Sequence, residues 1–227
     1  MLLLELPTGE LDTLLEEAAA QLNPRDFAHF ALTSRVCATA AARALSVVVP
    51  MEVAQRLQAG RHAGKLACAM CPDMVLPDGL ESIGCAAFLN CADLTSINVP
   101  ASVTSIGARA LVGCTALASI TLCAGLTSIG SGVFASCKAL TSVALPSGIT
   151  SIDEVAFEHC HALTSVTLPD GFTTIGHSAF WQCRALATIT IPATLQHVDN
   201  GAFAGCLKLD ATTRKRIHDI NPNALVD

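Results

Sequence analysis

A cysteine recurs every 23 residues, at Cys68, Cys91, Cys114, Cys137, Cys160, Cys183 and Cys206. Other positions keep the same phase. Counted from each cysteine, offset 3 is Leu94, Leu117, Leu140, Leu163 and Leu186. Offset 6 is Ile97, Ile120, Val143, Val166 and Ile189, and offset 8 is Val99, Leu122, Leu145, Leu168 and Ile191. Offset 9 is proline at Pro77, Pro100, Pro146, Pro169 and Pro192, with Cys123 in the remaining unit. Offset 15 runs Ile83, Ile106, Ile129, Ile152, Ile175, Val198, and offset 20 runs Phe88, Leu111, Phe134, Phe157, Phe180, Phe203. No gap breaks the phase through 68–90, 91–113, 114–136, 137–159, 160–182 and 183–205. A unit this short cannot bury its own apolar face, so successive units must stack and share one core.

The pattern inside a unit predicts its path. Alternation at offsets 6 and 8 is a strand signal, and the proline at offset 9 ends the strand because it cannot donate to a ladder. A second extended piece follows at offsets 12 to 15. Offsets 17 to 22 read as one tight helical turn that tucks the phenylalanine inward. The expected fold is an α+β repeat, a single-stack β-solenoid of six coils over residues 68–205. After Cys206, Leu207-Lys208-Leu209 begins another coil that the chain leaves. Asp210 is placed to cap a helix through Ile217 and Ile220, ending near Asn221-Pro222. Residues 206–227 are therefore expected to form a helical C-terminal cap over the open end.

Residues 1–67 carry no repeat. Leu11, Leu14, Leu15, Ala18, Ala19 and Leu22 share one helical face. Asn23-Pro24 starts a second helix bearing Phe27 and Phe30. Further helices are expected through Leu45 and from Met51 to Ala59. This section reads as a helical N-terminal module.

The unit CHALTSVTLPDGFTTIGHSAFWQ resembles the BspA-like leucine-rich repeat. That resemblance implies a leucine-rich-repeat solenoid and a role in binding or on cell surfaces. The stretch LPTGELDTLLEEAAAQLNPRDFAHFALTSRVCATAARAL resembles an F-box, the helical module that docks on a Skp-type adaptor of cullin ubiquitin ligases. It implies that Leu6, Pro7, Leu22, Pro24 and Phe27 contribute to the adaptor surface. The alternative is that these helices only cap the first coil.

Composition removes several functions. Charged residues make up 14% and the net charge is -6, which argues against a nucleic-acid surface. The longest apolar stretch, around Ala44 to Val49, is short of the roughly 20 residues a bilayer requires, so no membrane partner is expected. The segment Met1-Leu2-Leu3-Leu4-Glu5 lacks a basic lead, so an intracellular, cytoplasmic setting with reduced thiols is expected. No nucleophile–base–acid trio, phosphate loop or dinucleotide fingerprint appears, so neither catalysis nor a cofactor is expected. Cys68-Ala-Met-Cys71 has zinc or redox spacing, but the repeat already occupies both positions. His159-Cys160-His161 with Glu154, Glu158 and His177 has metal-ligand residue types but no fixed third ligand. Hydroxyl ranks at offsets 5 and 7, such as Ser96, Ser119, Ser142 and Ser165, suit an exposed strand face.

A contact surface must vary where the core repeats. Offset 21 reads Leu89, Val112, Ala135, Glu158, Trp181, Ala204, and Trp181 is the sole tryptophan. Around it in the lattice fall Glu154, Glu158, His159, His161, His177 and Arg184. These are the expected contact residues for a protein partner; the alternative is that Trp181 covers a groove between turns. Coils 68–205 hold nine carboxylates (Asp73, Asp78, Glu81, Asp93, Asp153, Glu154, Glu158, Asp170, Asp199) against Arg109, Lys138 and Arg184. That balance predicts a basic or neutral partner. The functional expectation is a non-enzymatic protein-interaction scaffold, either a substrate receptor of a cullin-type ligase or a surface adhesion scaffold.

Overall fold

The computed structural model describes Val47–Val48, residues 73–76 and residues 78–226. The strands in chain order are β1 (Val47–Val48), β2 (Asp73–Val75), β3 (Ser82–Ile83), β4 (Ser96–Asn98), β5 (Ser105–Ile106), β6 (Ser119–Thr121), β7 (Ser128–Ile129), β8 (Ser142–Ala144), β9 (Ser151–Ile152), β10 (Ser165–Thr167), β11 (Thr174–Ile175), β12 (Thr188–Thr190) and β13 (His197–Val198). Every pairing is parallel. From β2 onward partners are 23 residues apart, as in Ile97↔Ile120 and Val166↔Ile189. Each coil thus contributes one three-residue strand at the offset 5–7 positions and one two-residue strand at offsets 14–15. The result is a parallel β-solenoid followed by one helix.

The core is the repeat made solid. Offsets 3, 12, 15 and 20 are buried in every fully described coil, among them Leu140, Ile149, Ile152 and Phe157 in coil 137–159. Phe134, Phe157, Phe180 and Phe203 stack ring on ring, with centroids 5.1, 5.2 and 5.1 Å apart. The comb cysteines sit beside them, and their thiols bridge coils. The Sγ–H of Cys114, Cys137, Cys160, Cys183 and Cys206 donates to the carbonyl of Phe88, Leu111, Phe134, Phe157 and Phe180 at 3.2, 3.3, 3.1, 3.0 and 3.1 Å. A small hydrophobe with one weak donor fits this position.

Two expectations need correction, and two reach beyond the described residues. Five coils, 91–113 to 183–205, are described whole, and coil 68–90 only in part. Of the helical N-terminal module, all but Val47–Val48 lies outside the described residues, including Leu6, Pro7, Leu22, Pro24 and Phe27. Val47–Val48, between the helices expected through Leu45 and from Met51, is a strand that pairs with Met74 and Val75. The reduced-thiol expectation fails at Cys91, which is disulfide-bonded; Cys114, Cys137, Cys160, Cys183 and Cys206 are free and buried.

The last correction concerns offsets 17 to 22, which form consecutive turns and no helix. Offsets 18 and 22 are left-handed in each coil, as at Val155 (φ 52) and His159 (φ 58). A right-handed helix cannot pass through such residues. Alternate amides therefore bond differently. Val155, Phe157 and His159 donate to His177, Ala179 and Trp181 of the next coil at 2.9, 2.7 and 2.8 Å. Glu158 and Cys160, between and after them, donate three residues back within their own coil. The turn side is thus as firmly laddered as a sheet.

The C-terminal cap agrees with the sequence. The helix α1 spans Ala211–Ile220, with the Asp210 carboxylate accepting from the Thr213 amide, and a 3-10 turn follows at Pro222–Leu225. The tail replaces the missing coil at its bonds. Gly201 and Phe203 amides donate to the Asn223 and Ala224 carbonyls at 3.0 and 2.8 Å. Arg216 donates through Nη1 to the Ile191 carbonyl and through Nη2 to that of Pro192, at 2.7 and 2.9 Å.

Candidate functional site

The alternating turn decides what faces outward on one side of the solenoid. Offset 22 is left-handed, so the flanking side chains at offsets 21 and 1 project around a tight corner while the cysteine between them points in. In coils 137–159 and 160–182 this arrangement gathers His159, His161 and Trp181. The His159 and Trp181 rings lie 4.7 Å apart, and those of His159 and His161 5.5 Å apart, both edge to face. His159 and Trp181 are half-buried and His161 is exposed. The chain holds this geometry from beneath, since the His159 amide donates to the Trp181 carbonyl at 2.8 Å.

A cleft of about 430 Å³ opens on the other side of Trp181, lined by His177, Ser178, Asn200, Asn223 and Val226 among others. It runs from the turn face to the C-terminal tail. Trp181 therefore separates two surfaces, a basic aromatic cluster and a small cleft, and covers a groove without being fully buried. The two readings of this residue describe the same position.

The remaining expected residues divide. His177 joins Trp181 at the cleft. Arg184 is exposed and its Nε donates to Gln182 Oε1 at 2.9 Å, which fixes the start of its side chain. Glu154 is exposed and accepts from Ser131 Oγ at 3.4 Å, on the preceding coil's side. Glu158 is half-buried at offset 21 between Ala135 and Trp181. The pattern did not single out Lys138, yet it belongs with them. Burial lowers the His161 pKa first, and the positive charges of His159, Arg184 and Lys138 lower it further. The signal was present in the sequence as offset 1, which reads Lys138, His161, Arg184 on three successive coils.

Among the described residues, no group of three His, Cys, Asp or Glu could hold a metal ion. Cys160 points into the core while the histidines beside it point out. No helix among the described residues is long and apolar enough to cross a membrane.

The profile described as BspA type Leucine rich repeat region (6 copies) matches residues 81–210. The chain belongs to the BspA-type leucine-rich-repeat family. Among solved structures, this BspA-type chain is similar to the T. pallidum Leucine Rich Repeat protein, at 30% identity and a TM-score of 0.55 over 68% of this chain and 86% of that one. It is also similar to a leucine rich cell surface protein from Faecalibacterium prausnitzii A2-165, at 34% identity and a TM-score of 0.56, covering 60% of this chain but only 37% of that one. A leucine-rich repeat protein from Eubacterium ventriosum shares the fold at 20% identity and a TM-score of 0.53. No curated protein matches the chain. BspA-type repeats make a scaffold suited to protein binding.

Proposed function

We propose that this chain is a non-enzymatic protein-binding scaffold whose contact surface is the turn face around Trp181. The observation that carries the reading is the His161–His159–Trp181 cluster, an interruption of variable aromatic side chains on an otherwise repetitive surface. The strand face offers near-uniform Ser and Thr, which distinguish no partner, whereas a central tryptophan is the residue type that most often dominates contact energies. Truncating such a residue typically removes about 2 kcal/mol or more, equivalent to roughly thirtyfold in affinity. The test titrates an identified partner against wild type, Trp181→Ala and Ser119→Ala. A loss of at least that size for Trp181→Ala with Ser119→Ala unchanged supports the turn face. An unchanged Trp181→Ala with a loss at Ser119 moves the contact to the strand face.

Two settings suit such a scaffold. In the first, intracellular one, residues 6–46 dock on a Skp-type adaptor and the coils hold a ligase substrate; the Leu6-Pro7 and Leu22-Asn-Pro-Arg-Asp-Phe27 spacing supports it. In the second, the chain is a surface adhesion scaffold. Similarity to the F. prausnitzii cell surface protein supports that setting. The disulfide at Cys91 favours it as well, because such bridges persist in oxidising compartments. A pull-down decides between them. Adaptor capture by wild type that is lost in folded Leu6→Ala plus Pro7→Ala belongs to the first; no capture belongs to the second.

A further inference from the structure

The net charge of the coils points to a basic partner, but the charge on the turn face is arranged otherwise. Lys138, His161 and Arg184 occupy one offset on three successive coils, and Lys138, His161 and Arg184 are all exposed. The ionisable side chains that act on His161 are His159, Arg184 and Lys138, all bases, with no carboxylate among them. Glu154 lies at offset 17 and already accepts from Ser131, while Glu158, half-buried, lies at offset 21 on the coil before Trp181; neither is among the groups whose charge acts on His161. Asp199 is paired with His197 at 2.9 Å, while Asp73, Asp78, Glu81, Asp93, Asp153 and Asp170 lie at other offsets than Lys138, His161 and Arg184. The whole-domain sum therefore conceals a local basic rank beside the only tryptophan.

We infer that the partner presents an acidic, extended segment that runs across the coils, with carboxylates on Lys138 and Arg184, the His161 ring between them as a hydrogen-bonding group, and an apolar group against Trp181. This rests on the proposal that the turn face is the contact surface, and adds the chemistry of what it contacts. Stacked coils rise by about 4.8 Å, so Lys138 and Arg184 stand roughly 10 Å apart. A polyproline II segment has three residues per turn and advances about 3.1 Å per residue, so side chains three apart share one face about 9 Å apart. Carboxylates at that spacing match the ends of the rank, in a pattern of the Glu-x-x-Glu kind. Opposite charges at such a rim fix register and select against basic segments. The His159–Trp181 pair supplies the adjoining apolar edge.

Trp181 reports its own occupancy, because the chain has one tryptophan. The experiment follows its fluorescence on the full chain at low ionic strength, with two probes. One is a nonapeptide with glutamate at every third position and no aromatic residue; the other carries lysine at those positions. The glutamate peptide should give a saturable change and the lysine peptide none. Lys138→Gln and Arg184→Gln, with circular dichroism confirming the fold, should each weaken the glutamate peptide roughly two- to fivefold, and added salt should do the same to wild type. An absent response to the glutamate peptide, an equal response to lysine, or unchanged affinity in the two variants overturns the inference. A response to lysine alone removes the acidic partner yet leaves the turn face in contact. The broader proposal fails on a separate reading, unchanged partner affinity in Trp181→Ala.

Discussion

At the scale of residues, the comb cysteines hold coil to coil rather than merely filling space. Their burial raises the thiol pKa, to about 12 for Cys114 and Cys160 and upward likewise for Cys137 and Cys183. An unfolded thiol titrates near ~8.5. Between those values the unfolded chain has lost protons that the folded chain keeps, so stability is fully present below about pH 8.5 and falls as pH rises toward 12. Each such thiol contributes a slope of about 1.4 kcal/mol per pH unit in that window. Urea midpoints measured from pH 8 upward should fall steeply, and Cys160→Ala should remove one thiol's share of the slope. At neutral pH the same variant should lose roughly 1–2 kcal/mol, for the thiol–carbonyl bond and the space left behind. A slope identical in wild type and Cys160→Ala would mean that the thiol is not held protonated by the fold.

At the scale of elements, the C-terminal helix acts as a lid made of bonds as well as apolar area. Leu209, Ile217 and Ala224 are buried against the last coil, Asn221 takes up the Val198 carbonyl that a further coil would have bonded, and Arg216 clamps the Ile191 and Pro192 carbonyls. Removing residues 210–227 exposes Phe203 and Leu209 together with the edges of β12 and β13. At roughly 25 cal/mol per Å² the loss is several kcal/mol, and unpaired edges invite self-association. The expected outcome is a lower melting temperature with a shift to larger species in size-exclusion chromatography. Arg216→Ala should cost about 1 kcal/mol, since it removes two hydrogen bonds at a partly wet edge and leaves the Pro192 carbonyl only its bond from the Leu195 amide. A truncated chain that melts like wild type and stays monomeric would show that the lid stabilises nothing.

At the scale of the whole molecule, the solenoid is not uniformly laddered. The sheets divide between the third and fourth coils, into β1-β2-β4-β6 and β8-β10-β12 on one side and β3-β5-β7 and β9-β11-β13 on the other. At this junction Cys123 stands where the other coils have proline, and its thiol donates backward to the Val103 carbonyl at 3.0 Å. Ile120 and Leu122 are only partly buried there. The turn side stays closed, with Gly132, Phe134 and Ser136 donating to Glu154, Ala156 and Glu158 at 3.0, 2.8 and 2.7 Å and Phe134 stacked on Phe157. Opening is therefore confined to the strand faces, while the face bearing Trp181 remains fixed. Native-state hydrogen exchange should find the Leu122 amide faster than those of Val99 and Leu145, and Thr150 faster than Thr127 and Thr173, because only the comparison amides bond to a neighbouring coil. Equal protection at these positions would mean that the ladder is continuous in solution.

The repeat by itself determined the architecture, because a strict 23-residue phase leaves each offset one environment. Leu163, Ile175 and Phe180 had to be inside, and Asp210 through Asn221-Pro222 spelled a capped helix from local chemistry alone. The turn at offsets 17 to 22 was misread because its small and apolar residues fit a helix equally well; the left-handed φ of Val155 and His159 is selected by bonds to the next coil, which no single unit contains. The same limit applied to charge. Counting carboxylates across the coils gives a sign, and offset 1 aligns Lys138, His161 and Arg184, but that all three stand exposed and that only bases act on His161 is decided by the fold. Composition adds charges without positions, whereas a partner meets only those that the tertiary structure brings to one face.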